Sequence, residues 1–167
     1  MSRGFVKEDD QEEIPIVTPD SADLPEGVIN YMTQVGMDEL LNEKEMLINN
    51  RDDLDSTNEK ERKISLNYIN AKLQLLNSRI STAKIVDLNK QPQNVIRFGA
   101  VVSLKIGNEA KHQHYQIVGV DEADVSKGKI SFISPIARIL TEKKVGDNAL
   151  LKLVKEDRTF EIMEITY

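Results

Sequence analysis

The chain has 167 residues, with 28 acidic against 22 basic for a formal net charge of −6, 40% hydrophobic and 5% aromatic content, and neither cysteine nor tryptophan. Lack of cysteine excludes disulfides, thiolate metal sites and a cysteine nucleophile, and the acidic balance disfavours a protein that grips nucleic acid through its own basic surface. The length suits one ordinary domain or two small ones, and no apolar run is long enough to span a bilayer.

Residues 1–33 carry eight of the acids and only two bases, so the whole net charge belongs to them and the rest of the chain is neutral. They also hold Pro15, Pro19 and Pro25 and show no sustained apolar period. A segment of this kind buries too little to offset the entropy of ordering it, which predicts an acidic flexible tail with at most a short extended piece at Ile14 to Val17. The N-terminus has neither the apolar stretch nor the cleavage site of a secretory signal, so the expected location is the cytoplasm.

Residues 34–86 are predicted to form an antiparallel coiled-coil hairpin. Thr33 stands as a cap before a helical run, with Asp38 and Glu39 expected in its first turn, where acids suit the helix dipole. Leu40, Leu47 and Leu54, with Leu41 and Ile48, draw one apolar stripe along a helix over 34–51. Polar residues from Asn49 to Glu59 interrupt it, and Ser56 or Thr57 with Glu59 reads as a capping pattern for a second helix. Leu66, Ile69, Leu73, Leu76, Ile80 and Ala83 then recur at alternating spacings of 3 and 4, a coiled-coil seam. The turn between the arms gathers Asp52, Asp53, Asp55 and Glu59. Such a tip is either a polar connection that caps the second helix or a set of hard oxygen ligands offered to a Mg²⁺ held elsewhere.

From residue 87 the apolar period drops to two, with Val102, Leu104 and Ile106, then Tyr115 and Ile117, then Ile130 and Phe132, then Phe160 and Ile162 marking strands. Turn signals separate them at Gly107-Asn108, Ser126-Lys127-Gly128, Gly146-Asp147 and Glu156-Asp157. Ser134 followed by Pro135 reads as a helix cap with proline at the first position. Residues 87–167 are therefore predicted to be an antiparallel sheet wrapped on one short helix, which makes the fold class α+β. No phosphate-binding loop, dinucleotide fingerprint, nucleophile elbow or zinc-protease motif is present. His112 and His114 share one face of a predicted strand, but no acidic third ligand lies near them in sequence, so they read as surface polar residues. The expectation is a monomer with no cofactor of its own.

Four strings carry a resemblance: Arg97-Phe98-Gly99-Ala100-Val101-Val102, Tyr115-Gln116-Ile117-Val118-Gly119-Val120-Asp121-Glu122-Ala123-Asp124, Ile133-Ser134-Pro135-Ile136-Ala137-Arg138 and Val145-Gly146-Asp147. With the Thr33-x-x-Gly36 helix start and the acidic tip, they resemble the GreA/GreB transcription elongation factors over about residues 33–167. The resemblance implies a coiled coil joined to an FKBP-like domain that acts on bacterial RNA polymerase and meets nucleic acid only through it. The globular domain would dock at the rim of the polymerase secondary channel, with Ile133, Ser134 and Pro135 on the gripping loop. The hairpin would enter the channel and lend tip carboxylates to the second catalytic Mg²⁺, so that the polymerase cleaves the extruded RNA of a backtracked complex. The chain itself would then be no enzyme.

The family tip Gly-Asp-Leu-x-Glu-Asn-Ala-Glu-Tyr places Asp53 on its Asp and Ser56 where its Glu stands, with Asp55 one residue away and one methylene shorter. Asp53 and Asp55 are thus the expected cleavage residues, with Asp52 beside them as a further metal ligand. The hairpin, about 53 residues from Gly36 to Leu88, is shorter than the family's by about one heptad per arm, or roughly 10 Å. Two outcomes follow from the resemblance: stimulation of cleavage, or polymerase binding without it, as in short-hairpin relatives. Two readings compete from other classes. One is an FKBP-like prolyl isomerase, which needs an aromatic-lined pocket drawn from Phe98, Tyr115, Phe132 and Phe160. The other is a helical-hairpin interaction protein with no polymerase role.

Overall fold

A computed structural model describes residues 24–55 and 57–167. The hairpin consists of α1 (Gln34–Asp52) and α2 (Glu59–Thr82). Thr33 caps α1 as expected, its side chain accepting from the Gly36 N–H at 3.0 Å. The helix starts at Gln34, which carries Asp38 and Glu39 into the second turn and leaves the first turn without an acid. Asn58, rather than Ser56 or Thr57, caps α2 by accepting from the Glu61 N–H at 3.2 Å. The seam is buried at Leu40, Ile69, Leu73 and Leu76, with Leu47 and Ile80 packed at its margins. Leu41 is 44% exposed, because a residue next to a seam position sits about 100° around the helix.

The last residues of the expected tail, from Asn30, are held against the hairpin base. Tyr31–Met32 form a strand, β1, that runs parallel to β2 (Lys84–Ile85), with Tyr31 opposite Lys84 and Met32 opposite Ile85. Met32 is fully buried. Asn30 donates from Nδ2 to the Arg79 carbonyl at 2.9 Å, supplying a partner at the end of α2 where backbone carbonyls lack one. The acid run upstream dominates the average over 33 residues and hides the locally apolar stretch from Val28 to Met32. The extended piece expected at Ile14 to Val17, and everything before Leu24, lies outside the described residues.

The C-terminal part is a five-stranded sheet in the order β5-β4-β3-β7-β6, built from β3 (Val101–Ile106), β4 (His112–Val118), β5 (Lys129–Ser131), β6 (Asn148–Leu151) and β7 (Arg158–Thr166). Three pairings are antiparallel, but β5 runs parallel to β4, so the sheet is mixed rather than wholly antiparallel. The segment Gly119 to Gly128 returns through two short 3-10 turns instead of a hairpin, and a parallel neighbour requires such a crossover. Strand β6 is too short, with only Ala149 buried, to have shown an apolar period. The single short helix, α3 (Pro135–Leu140), stands where the Ser134-Pro135 signal put it and buries Ala137 and Leu140 over Val102, Leu104, Ile117, Phe160 and Ile162.

Tyr167 ties the far end of the sheet to the strand entry. Its hydroxyl donates to the Val95 carbonyl at 2.5 Å and accepts from the Arg97 N–H at 2.8 Å, and burial pushes its phenol above the ordinary value. Tyr167→Phe removes both bonds while keeping the ring. It is expected to cost about 1 kcal/mol, read as a lower urea midpoint at unchanged slope.

Candidate functional site

Three surfaces stand out: the hairpin tip, the loop that enters α3, and the joint between the hairpin and the sheet domain. At the tip, α1 closes when the Asp53 N–H donates to the Asn49 carbonyl at 3.0 Å. Three of the four acids that the sequence gathered there are then separately engaged. Arg51 Nε lies 3.6 Å from Asp52 Oδ1, and Lys63 pairs with Glu59 at 3.2 Å. Asp55 accepts from Thr57 twice, at Oδ1 from the N–H and at Oδ2 from the hydroxyl, both at 3.1 Å. Asp53 is exposed, and nothing among the described residues pairs with its carboxylate. Among the described residues no three His, Asp or Glu side chains converge as a metal site, so the tip acids are not gathered into a cage. His112 and His114 lie exposed on one face of β4, opposite Lys105 and Ser103.

The loop holding Ile133, Ser134 and Pro135 is fixed at both ends. Ser134 Oγ accepts from the Ala137 N–H at 3.2 Å, and the Ser134 N–H donates to the Ser131 carbonyl at 2.9 Å. On the other side Phe132 meets Tyr31 and Phe98 edge-on, with ring centroids 5.7 Å away in both cases, and Tyr31 and Phe98 are 5.9 Å apart. This trio fastens β1, at the hairpin base, to the start of the loop. Pro135 is exposed while Ile133 and Ser134 are half-buried. The aromatic side chains that a prolyl-isomerase pocket would need are committed elsewhere: Phe98 and Phe132 to this trio, Phe160 to the core at 2% exposure, Tyr115 against that core. A cavity of about 350 Å³ at the hairpin base is lined by Thr33, Gln34, Val35, Ile85, Glu122 and Lys129 among others, with no aromatic side chain.

The joint was missed by the sequence reading. Glu122, on the 3-10 turn Val120–Glu122, is buried at 5% exposure. Its Oε2 accepts from the Thr33 N–H at 3.0 Å and from the Gly119 N–H at 2.9 Å, and its Oε1 accepts from the Thr33 hydroxyl. Two glycines make room for this carboxylate. A Cβ on Gly36 would fall onto the Glu122 side chain, and one on Gly119 would sit 2.5 Å from the Tyr31 carbonyl oxygen and 2.8 Å from Glu122 Oε2. Thr33-x-x-Gly36 and Gly119-Val120-Asp121-Glu122 both carry the resemblance, but no local signal pairs residues 89 positions apart.

Asp121, on the same turn, places Oδ1 3.8 Å from Arg79 Nε in the last turn of α2. Burial raises its carboxyl above the ordinary value of 3.8; Arg79 opposes the rise, while Glu122 and Glu43 add to it. A raised folded-state value means that its stabilising contribution is full below 3.8 and lost as pH rises through the raised value. Asp121→Asn cannot ionise. The stability of the wild type relative to this variant is therefore expected to fall as pH rises above 3.8, measured as the difference in urea midpoints.

Comparison with known proteins adds three findings. The family model described as "Transcription elongation factor, GreA/GreB, C-term" matches residues 91–167. Transcription elongation factor GreA of Maricaulis maris is 36% identical over 100 residues, and GreA of Halorhodospira halophila is 40% identical over 101 residues; each alignment covers 60% of this chain and 64% of the relative. The chain thus spans less than two thirds of the length of the curated relatives that it matches. Among solved structures, the GreA factor homolog 1 (Gfh1) of Thermus thermophilus is 25% identical, with a TM-score of 0.40, covering 82% of this chain and 98% of that one.

Proposed function

We propose, from the match of residues 91–167 to the GreA/GreB C-terminal family model and from the GreA relatives, that this chain is a GreA/GreB-type transcription elongation factor that binds bacterial RNA polymerase in the cytoplasm and acts through the secondary channel. The loop of Ile133, Ser134 and Pro135 grips the polymerase, and the hairpin carries the tip toward the polymerase active centre. The observation that carries this reading is the placement of an unengaged Asp53 carboxylate at the far end of a rod. Its longer arm, α2, has 24 residues, which is about 36 Å at ~1.5 Å per residue.

The donor set at the tip is oxygen only, as a hard Mg²⁺ prefers. Asp53, with Asp52 and Asp55 beside it, would lend ligands to an ion that the polymerase holds; such an ion stabilises both the attacking and the leaving oxygen of an in-line displacement. Asp55 contributes the least new coordination because Thr57 already occupies both of its oxygens. The chain completes a site on its partner and is not an enzyme by itself.

The test is addition of the full chain to stalled, backtracked elongation complexes, reading RNA length and comigration with polymerase together. Shortened RNA is the expected result. Intact RNA with binding retained leaves a channel-occupying regulator that does not stimulate cleavage. Loss of comigration would overturn the reading. Ile133→Asp and Pro135→Ala are expected to weaken comigration at concentrations where the wild type is saturated.

A further inference from the structure

The 3-10 turn Val120–Glu122 holds both arms of the hairpin at once. Glu122 takes the start of α1 through the Thr33 N–H and hydroxyl, and Asp121 meets Arg79 in the last turn of α2. The two acids are adjacent in sequence and belong to the sheet domain, whereas their partners lie at opposite ends of the helical segment. Gly36 and Gly119 clear the space for the Glu122 carboxylate, so the approach is built into the backbone on both sides. From these contacts we infer that Asp121 and Glu122 form a positioning bracket that sets the direction of the rod relative to the loop of Ile133, Ser134 and Pro135. The functional consequence rests on the proposed action on polymerase; the geometric claim does not.

The bracket matters because a long rod magnifies a small tilt at its base. On a rod of about 36 Å, a tilt of about 5° at the base moves the tip by about 3 Å. Metal–ligand distances tolerate only about 0.2 Å, and misplacement by about 1 Å can cost on the order of 100-fold in rate. A tip that swings by 3 Å still enters a channel but no longer meets an ion held by the partner. Glu122 and Asp121 therefore act through Asp53 without touching anything that reacts.

The experiment uses the full chain, whose lack of cysteine allows clean labelling. Nitroxides at Arg62→Cys on α2 and Lys152→Cys in the sheet domain, both exposed positions, report the rod-to-domain distance by pulsed electron resonance. The expected result is one narrow distance in the labelled parent and in Thr33→Ser, which keeps the hydroxyl. Glu122→Ala and Thr33→Val are expected to shift the mean by about 3 Å or to broaden it comparably. Far-ultraviolet circular dichroism checks folding. An unchanged distance in Thr33→Val and in Glu122→Ala, or in Thr33→Val alone where Glu122→Ala does not fold, overturns the bracket. With polymerase, Thr33→Val is expected to bind stalled complexes at the same half-saturating concentration but to lose about tenfold in cleavage at saturation. If distances change while the unaltered chain neither binds polymerase nor affects RNA, the bracket stands and the polymerase reading falls.

Discussion

Gly36→Ala is expected to destabilise the protein by about 2–4 kcal/mol, lowering the thermal midpoint by roughly 5–15 °C. The sign is opposite to the usual one. Alanine in a helix interior is normally better than glycine by about 1 kcal/mol, and Gly36 lies inside the first turn of α1. Here the added methyl falls onto the Glu122 side chain. Either the carboxylate rotates away, leaving the Thr33 and Gly119 N–H groups buried without an acceptor, or α1 shifts off the sheet domain. Each orphaned buried donor costs about 1–3 kcal/mol, which outweighs the gain in propensity. Asn42→Ala, at an exposed position of the same helix, is the control and is expected to add a few tenths of a kcal/mol. A Gly36→Ala protein as stable as its parent would mean that the Glu122 contacts do not hold the helix start.

How far the sequence revealed this protein depended on the range of each interaction. Caps and turns are local, so Thr33, Ser134-Pro135 and Gly107-Asn108 marked element ends correctly from neighbouring residues alone. The seam of α2 was visible because a coiled coil repeats its demand every three or four residues. Strand β6 was invisible, since four residues with one buried position carry no period. The parallel pairing of β4 with β5 depended on how ten residues fold between them, not on the strands themselves. Glu122 looked like one acid in a run of acids. What marks it is the cleared space at Gly36 and Gly119 and a hydroxyl that arrives from 89 residues away. The tip was half legible: its acidic content could be read directly, but which carboxylate is unengaged depended on where α1 stops and on how Thr57 folds back.

That difference among the tip acids ranks them. Asp53→Asn is expected to reduce stimulated RNA cleavage by about 100-fold, measured in single-turnover reactions at saturating factor so that docking does not limit the rate. Asp53 is exposed and unpaired among the described residues, so the change should leave stability and polymerase affinity as they are. Asp52→Asn removes a partner of Arg51 at 3.6 Å, a pair between a half-buried guanidinium and an exposed carboxylate worth at most about 1 kcal/mol, and is expected to have a small effect on both readouts. Asp55→Asn keeps a carbonyl oxygen for the Thr57 N–H and so preserves the turn; any loss of cleavage beyond a few-fold would report a ligand role for Asp55 itself. Raising Mg²⁺ should partly restore Asp53→Asn, because a lost ligand weakens binding of the ion without removing the rest of its site. Full activity in all three variants would remove the carboxylates from the chemistry and leave the rod as an occupant of the channel.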